Sequence, residues 1–367
     1  MSAPRPLRIT WVLPFQRFTG GIRVVYEHSR QLLARGHDVT LVVPRADPTL
    51  AAPLSFLQRS RLRAIDLLLE RSDAMLAYYG LAGRVVRPKR LEPEALPPGD
   101  VVIATSWHTA GAVAAAPPGA GRGAYFVQHY EAFTPDVESA VDATWRLPLE
   151  RIVIASWLAR LARERFGASA WGPVVNGVDL EQFHADLRPE AEPLRVGMLY
   201  ERIPWKGTDD GFEAVRRARE DVPALRFALY GRHRMQHPLA AGDSYVRSPS
   251  PARLSAFYRS CAMFLSPSWT EGCQLPPMEA MASGCAVVAT NVGGIPDYAI
   301  SGVTALTAEP HDPPALARHL VALARDPALL ARVARAGRAH IEGYSWPRAT
   351  GELERILKDI ASGRTAQ

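Results

Sequence analysis

Cysteine is scarce in this chain of 367 residues, and its placement excludes two classes of small protein. The three cysteines, Cys261, Cys273 and Cys285, are an odd number at wide spacing. That arrangement fits neither a disulfide framework nor a zinc site. We therefore expect reduced cysteines that serve as small packing residues.

Long apolar runs are also missing, so the sequence predicts no membrane-spanning helix. The first residues, MSAPRPLRITWVLPFQ, contain Pro14 and Gln16 and do not resemble a signal peptide. We accordingly expect a cytoplasmic protein.

Lysine is nearly absent, because Lys89, Lys206 and Lys358 are the only lysines in a chain of net charge +6. No basic run is long enough to indicate a nucleic-acid partner. The excess of arginine has two interpretations that stay open here. It is either an ordinary solvated surface or an aid to peripheral contact with the inner face of an anionic membrane.

What the chain does contain is 47% apolar and 22% charged residues, with enough length for two domains. Both halves alternate apolar segments with amphipathic ones, a pattern typical of doubly wound parallel sheets. The predicted strands are 7–14, 38–43, 100–104, 123–127, 151–155 and 172–175 in the first half, and 194–199, 225–230, 245–246, 263–266, 286–289 and 304–306 in the second. The predicted helices include 20–35, 208–221, 312–324, 328–340 and 346–361.

Two further segments are informative. Residues 54–79 are rich in leucine and arginine and predict amphipathic helices, which either face a membrane or acceptor or pack on the sheet. Residues 176–193 are rich in turn residues and proline, and predict the connector between two domains.

The most informative motif is EGCQLPPMEAMASG at residues 271–284. It follows an apolar strand, and its two prolines suit the first turn of a helix. Glu271 is then expected in the loop at the carboxyl end of the strand, and Glu279 in the first helical turn. Ligands of open α/β sheets bind at that edge, and a helix start favours phosphate. The alternative is that both acids merely complement the helix dipole.

Three other clusters occupy similar positions. Gly20 and Gly21 lie between a strand and a helix, where they permit either close approach of a phosphate or a tight packing turn. A polar group follows the strand at 123–127, and a cationic loop follows the strand at 194–199. The polar group contains Gln128, His129 and Glu131. The cationic loop contains Arg202, Lys206 and Gly207. A structural histidine and a solvated loop lysine are the alternatives.

The motif at 271–284, with AVVATNVGGIPD after it, resembles the donor-sugar motif of glycosyltransferase family four, the glycosyl transferases group 1. The run GGIRVVYEHSRQLLARGHDVTLV resembles the N-terminal signature of the same family. The resemblance implies an α/β protein with the GT-B fold, in which two Rossmann-like doubly wound parallel-sheet domains face each other across a cleft. It places an acceptor-side domain at 1–175, joined by a crossover helix at 346–367, and a nucleotide-sugar donor domain at 176–345.

The same resemblance implies roles for individual residues. Lys206 and an arginine balance the charge of the donor diphosphate, and because Met198 occupies the usual arginine position, Arg202 is the candidate substitute. Glu279 accepts hydrogen bonds from ribose hydroxyls, and Glu271 meets the transferred sugar. The candidate catalytic residues are Lys206, Glu271, His129 and Arg202; the candidate donor-binding residues are Gly20, Gly21, Gln128, Lys206, Gly207, Gly272, Cys273, Gln274, Leu275 and Glu279.

Departures from the family pattern limit what the resemblance implies. Cys273 and Gln274 replace the phenylalanine and glycine of the common EGFGLP, so the donor sugar stays open. Residues 230–233 and 245–249 are expected to border the base.

The resemblance implies a retaining hexosyltransferase that needs no metal ion and no cofactor, and that uses a nucleotide-diphosphate sugar and a hydroxyl acceptor as substrates. The acceptor is a glycan, a lipid-linked compound or a natural product, which includes a role in polysaccharide biosynthesis. Two alternatives stay open: a GT-B-like sugar-nucleotide epimerase or hydrolase, and a non-catalytic sugar-nucleotide binder. The base, linkage and oligomeric state are not predicted.

Overall fold

The structure is a computed structural model that describes residues 5–17, 19–45, 70–184 and 192–367. Its contacts divide the chain into two compact units. Unit 1 consists of Met1–Val174 together with Ala349–Gln367, and unit 2 consists of Val175–Arg348.

Unit 1 is built on a parallel sheet of six strands in the order β3-β2-β1-β4-β5-β6. Its central strands are apolar on both faces because helices cover both sides, as parallel sheets require. The strands are β1 (Arg8–Val12), β2 (Asp38–Val42), β3 (Val85–Val86), β4 (Val101–Ala104), β5 (Arg122–Val127) and β6 (Glu150–Val153). The helices are α1 (Gly20–Ala34), α2 (Glu70–Tyr78), α3 (Trp107–Ala114), α4 (Pro135–Trp145) and α5 (Ser156–Phe166).

Unit 2 repeats this plan with six parallel strands in the order β12-β11-β10-β7-β8-β9. The strands are β7 (Glu192–Tyr200), β8 (Arg226–Gly231), β9 (Ser244–Arg247), β10 (Cys261–Ser266), β11 (Ala286–Thr290) and β12 (Leu306–Ala308). The helices are α6 (Thr208–Asp221), α7 (Pro251–Ser260), α8 (Leu275–Ala282), α9 (Ile295–Tyr298), α10 (Pro313–Arg325) and α11 (Pro327–Ile341).

Both sheets therefore have the Rossmann strand order, in which the chain reverses its progress across the sheet once. In unit 1 the reversal lies between β1 and β4, and in unit 2 it lies between β7 and β10. A crevice opens at the carboxyl ends of the two strands at such a switch point, and ligands of open α/β sheets bind there. The topology thus predicts a ligand site at the loops after β1 and β4 in unit 1, and at the loops after β7 and β10 in unit 2.

Helix α12 (Trp346–Ala361) follows unit 2 in the chain, and its residues from Ala349 onward belong to unit 1. His28 Nδ1 lies 2.8 Å from Thr350 Oγ1 in the buried core. The backbone N–H of Leu7 donates to His37 Nδ1, so the proton of this ring is on Nε2, which donates to Glu354 at 3.1 Å. These bonds attach α12 to α1 and to the loop that precedes β2.

One predicted strand is wrong and one is shifted. Residues 172–175 form no strand, because Gly172 has a φ of +106° and Pro173 has no N–H to donate to a ladder. The strand predicted at 304–306 is Leu306–Ala308. Helices α3, α4, α5, α7 and α9 and the short strand β3 were not predicted.

Parts of two other predictions fall outside the described residues, namely 54–69 of the amphipathic segment and 185–191 of the connector. Among the described helices, none combines the length and the apolar composition needed to cross a bilayer.

Candidate functional site

The switch point of unit 2 is formed by the loop after β7 and the loop after β10, which lie in direct contact. Trp269 donates its backbone N–H to Trp205 O at 2.7 Å. Gly207 has a φ of +64°, and a Cβ at this position would lie 1.9 Å from Pro267 O. Only glycine therefore allows the two loops to approach this closely.

This close approach brings two predicted site residues together. Lys206 Nζ donates to Glu271 Oε1 at 2.6 Å. The side chains keep 27% and 12% of their surface exposed, so a ligand can reach both. This hydrogen bond is short and charge-assisted, and it holds a cation and a carboxylate side by side at the carboxyl edge of the sheet.

The second predicted cation is placed differently. Arg202 is exposed, and its backbone N–H bonds to Glu201 Oε1 at 3.2 Å. Within the described part of the chain its guanidinium makes no hydrogen bond or ion pair, including none with Glu271. Met198, at the usual arginine position, lies in the hydrophobic core beneath α6. A cation at position 198 would therefore have to enter the core.

The start of α8 forms the floor of the same edge. Gln274 is its N-cap residue, Leu275 its first residue, and Pro276 and Pro277 follow in the first turn. The prolines have no N–H, so the backbone donors are concentrated around Gln274 and Leu275. The Gln274 side chain is buried and accepts a hydrogen bond from Ser266.

A glycine pair fixes this loop from the side. A Cβ on Gly293 would lie 2.2 Å from Glu271 O, and one on Gly294 would lie 3.0 Å from Gly272 O. Cys273 is buried beside them, and its carbonyl accepts a hydrogen bond from Asn176 Nδ2 at 2.9 Å. Burial raises the pKa of the Cys273 thiol to about 12, so it stays protonated at neutral pH.

Glu279 is not in the first turn of α8, as the sequence analysis expected, because the helix begins at Leu275 and Glu279 occupies the next turn. Its side chain is 2% exposed. Tyr258 donates its hydroxyl to Glu279 Oε2 at 2.9 Å, and Tyr230 lies 2.6 Å from Tyr258, oxygen to oxygen. Tyr258 was not predicted as a site residue, because a tyrosine shortly before an apolar strand carries no distinctive signal.

In unit 1 the loop after β1 ends at the start of α1. Thr19 caps the helix by accepting the N–H of Ile22 at 3.3 Å, and Gly20 and Gly21 are the first helical residues. A Cβ on Gly21 would lie 3.3 Å from Gln128 Nε2, whereas one on Gly20 would meet nothing within 4 Å. Two predicted residues, Gly21 and Gln128, are thus in contact.

His129 follows Gln128 in the loop after β5. Its Nδ1 accepts the backbone N–H of Glu131 at 3.1 Å, so the neutral ring has its proton on Nε2. The ring lies 4.8 Å from Phe133 and 5.6 Å from Trp157, centroid to centroid. In this tautomer His129 is a hydrogen-bond donor through Nε2.

Glu131 anchors that loop to the switch point of unit 1. Its carboxylate accepts hydrogen bonds from Ser106 Oγ at 3.1 Å, from the Trp107 backbone N–H at 2.9 Å and from Tyr125 at 3.2 Å. Its own backbone is in the left-handed region, with φ at +59°. Burial raises the pKa of Glu131 to about 7, although the three donors oppose the rise. Because it accepts the N–H of Trp107, the first residue of α3, the carboxylate caps this helix.

Across the described ranges, no group of three or more histidine, cysteine, aspartate or glutamate side chains has the arrangement to hold a metal ion. The structure brings together Lys206 with Glu271 and Gly21 with Gln128, and it places Gly207, Gly272, Cys273, Gln274 and Leu275 around the first pair. Arg202 makes no hydrogen bond or ion pair with the first pair in the described residues, and His129 lies in unit 1, next to Gln128.

The family model described as "Glycosyl transferases group 1" matches residues 193–326. Residues 193–326 form a glycosyl transferases group 1 domain. This span contains Lys206, Glu271 and Glu279, and it confirms the predicted family for the unit in which those residues lie.

Curated relatives agree with this assignment. The D-inositol 3-phosphate glycosyltransferase of Streptomyces avermitilis is 39% identical over 202 residues, which cover 47% of this chain and 43% of that protein. The chain thus spans less than half the length of this curated relative.

Solved structures match nearly the whole chain. Sucrose-phosphate synthase of Thermosynechococcus elongatus matches with a TM-score of 0.72 at 17% identity, over 98% of this chain and 100% of that one. Anabaena Alr3699/HepE, solved in complex with UDP-glucose, matches with a TM-score of 0.74 at 16% identity, over 96% of this chain and 100% of that one. The chain has the GT-B fold, as predicted.

Proposed function

We propose that this protein is a retaining glycosyltransferase that moves a sugar from a nucleotide-diphosphate sugar to a hydroxyl acceptor. The observation that carries the proposal is the Lys206–Glu271 pair, 2.6 Å apart at the switch point of a glycosyl transferases group 1 domain. The Anabaena neighbour's complex with UDP-glucose supports a nucleotide sugar as the donor.

In the proposed donor complex Lys206 binds the diphosphate in place of Glu271. A diphosphate presents more negative charge than one carboxylate, so the ammonium group turns to the phosphate oxygens and releases Glu271. Glu271 then accepts hydrogen bonds from hydroxyls of the transferred sugar. The backbone donors around Gln274 and Leu275 hold the other phosphate oxygens. Arg202 is the proposed second cation, since it is exposed in the same loop as Lys206.

The chemistry follows from that placement. The bond between the anomeric carbon and the leaving phosphate oxygen breaks, and a bond from the acceptor oxygen to the same face of that carbon forms. The acceptor proton passes to an oxygen of the departing diphosphate. Lys206 stabilises the charge that develops on this leaving group without a metal ion, which is electrostatic catalysis. His129 is proposed to donate its Nε2–H to a hydroxyl of the sugar.

The acceptor is proposed to bind unit 1, at the edge where Gly20, Gly21 and the loop of Gln128 and His129 lie. The first acceptors to be tested are phosphorylated hydroxyl compounds, because one similar protein is a D-inositol 3-phosphate glycosyltransferase and another is a sucrose-phosphate synthase. Glycan ends and lipid-linked acceptors follow in the same search.

The test measures binding of UDP-, GDP-, ADP- and dTDP-sugars and their diphosphates by calorimetry, on wild type and Glu279→Gln. We expect one base series to bind and to weaken about tenfold in the variant, through the lost ribose contact. The variant Lys358→Met, which removes another lysine–glutamate pair, should bind like wild type.

The best donor is then incubated with the acceptor set, with and without EDTA, and the product's anomeric configuration is read by NMR. Retained configuration without metal supports the proposal. Absence of binding to every nucleotide sugar would overturn it. Donor turnover that is independent of any acceptor would instead identify an epimerase or hydrolase.

A further inference from the structure

A buried chain of three hydroxyl and carboxyl groups runs through unit 2 behind the proposed ribose site. Tyr230 and Tyr258 approach to 2.6 Å, and Tyr258 donates to Glu279 Oε2 at 2.9 Å. The three residues are 7%, 0% and 2% exposed, in that order. These are among the most buried polar groups next to the candidate site.

The direction of the hydrogen bonds follows from the number of protons. An ionised carboxylate only accepts, and a tyrosine hydroxyl has a single hydrogen to donate. Tyr258 uses its hydrogen on Glu279, so Tyr230 must donate to Tyr258. The chain is therefore directed from Tyr230 through Tyr258 to Glu279, and each bond polarises the next.

Three different elements position these groups. Tyr230 lies near the carboxyl end of β8, Tyr258 in α7 and Glu279 in α8. The Tyr258 ring is held edge-on by Phe183, with centroids 5.6 Å apart. Cys285 Sγ also donates to the carbonyl of Tyr258. The hydroxyl of Tyr258 is thus held on a rigid frame and cannot follow the carboxylate if it rotates.

We propose that Tyr258, supported by Tyr230, is a positioning residue that sets the plane of the Glu279 carboxylate for a ribose diol. The inference rests on the proposed function, in which Glu279 binds the ribose hydroxyls. With Oε2 fixed, the carboxylate no longer rotates about its last torsion. It therefore meets the two adjacent hydroxyls without an ordering cost on binding.

The consequence is specific to the sugar of the nucleotide. Loss of the Tyr258 hydroxyl should weaken binding only of ligands that have both ribose hydroxyls. A ligand without the diol makes no use of the carboxylate's orientation, so its affinity should not change. A general structural fault in unit 2 would weaken both ligands equally.

The experiment measures dissociation constants of UDP, GDP and ADP, and of their 2′,3′-dideoxy counterparts, for wild type and Tyr258→Phe. For the base that binds, we expect wild type to prefer the ribose form by about tenfold or more. Tyr258→Phe should reduce that preference about tenfold through the ribose form alone. Tyr230→Phe should reduce it about two- to threefold, because it acts through Tyr258.

Tyr200→Phe is the matched control. Tyr200 is also a buried tyrosine of unit 2, and its hydroxyl accepts the Gln236 backbone N–H at 3.1 Å, away from Glu279. We expect it to leave the preference unchanged. Urea midpoints of all variants show whether unit 2 is folded, and Tyr230→Phe provides the test if Tyr258→Phe fails to fold.

The outcomes separate the inference from the function on which it rests. If Glu279→Gln abolishes the ribose preference and both Tyr258→Phe and Tyr230→Phe keep it, the positioning role is wrong and the ribose role of Glu279 stands. If wild type binds the ribose and dideoxy forms equally, both the positioning role and the ribose role are wrong. If wild type binds none of the diphosphates, the proposed function itself fails.

Discussion

The two units have the same strand order, yet their switch points hold a carboxylate in opposite ways. In unit 2 Glu271 is bonded to a cation, Lys206, at 2.6 Å. In unit 1 Glu131 accepts its hydrogen bonds from neutral donors of Ser106, Trp107 and Tyr125. In the proposed function the first arrangement exchanges its partner for the donor diphosphate, whereas the second caps α3. The scaffold sets where a site lies, and the loops set its chemistry.

The neighbouring glycines differ in the same sense. Gly207 and Gly293 of unit 2 are compressed against backbone atoms of the adjoining loop. In unit 1 Gly20 has open space and Gly21 meets only the flexible end of Gln128. Unit 2 is therefore preorganised at its switch point, whereas unit 1 leaves room there.

Removal of the cation should produce the largest effect. For Lys206→Met we expect turnover of the best-binding donor to fall by about 10²–10³-fold, because one preorganised charge on the leaving group is lost. The measurement is the rate of nucleoside diphosphate release at saturating donor.

Lys358→Met is its control, since Lys358 pairs with Glu354 in α12. It should keep near wild-type turnover. A Lys206→Met enzyme within a few-fold of wild type would show that the ion pair is only structural.

The glycines test the contrast in packing. Gly207→Ala should destabilise the protein by about 2–4 kcal/mol, because it combines a left-handed φ with a clash against the backbone at Pro267. Gly20→Ala, at an open helix start, should be neutral or slightly stabilising. Urea unfolding measures both, and equal effects would contradict the packing difference.

The smallest effect concerns Glu131 of unit 1, whose carboxyl group is bonded to neutral donors. The pKa of Glu131 is about 7 in the folded protein, above its ordinary value of 4.5. The folded state therefore binds more protons than the unfolded state between these values, and Glu131's contribution to stability is lost as pH rises from 4.5 through 7. We expect wild type to lose about 1–2 kcal/mol relative to Glu131→Gln between pH 5 and pH 7.5.

Urea midpoints at the two pH values measure this difference. A gap between wild type and variant that stays constant with pH would show that Glu131 is ionised throughout.

Regular patterns in the sequence were sufficient for much of the fold. The run DVTLVV predicted β2, and the amphipathic segment 208–221 predicted α6 with the correct bounds. Helix α5 was missed although Gly167 provides a left-handed C-cap. The prediction of a strand at 172–175 was wrong because it gave more weight to the apolar residues of this segment than to Gly172 and Pro173.

The site was predictable only as far as motifs extend. Lys206 and Glu271 were both identified by resemblance, but their bond joins residues 65 positions apart and depends on the strand order. The contact of Tyr258 with Glu279 depends on how α7 and α8 lie against β10. Such packing leaves no periodic trace in the sequence.

Unit 1 is made of two chain segments, with the whole of unit 2 between them. The hydrogen bond between His28 and Thr350 joins residues 322 positions apart. At typical rates of translation, residues 175–348 take roughly 10–35 s to be synthesised. During that interval the nascent first segment has its strands but not α12. Residues 175–348 are contiguous, so the later-synthesised unit can complete its core first, and the earlier one must wait for a helix that is translated after it.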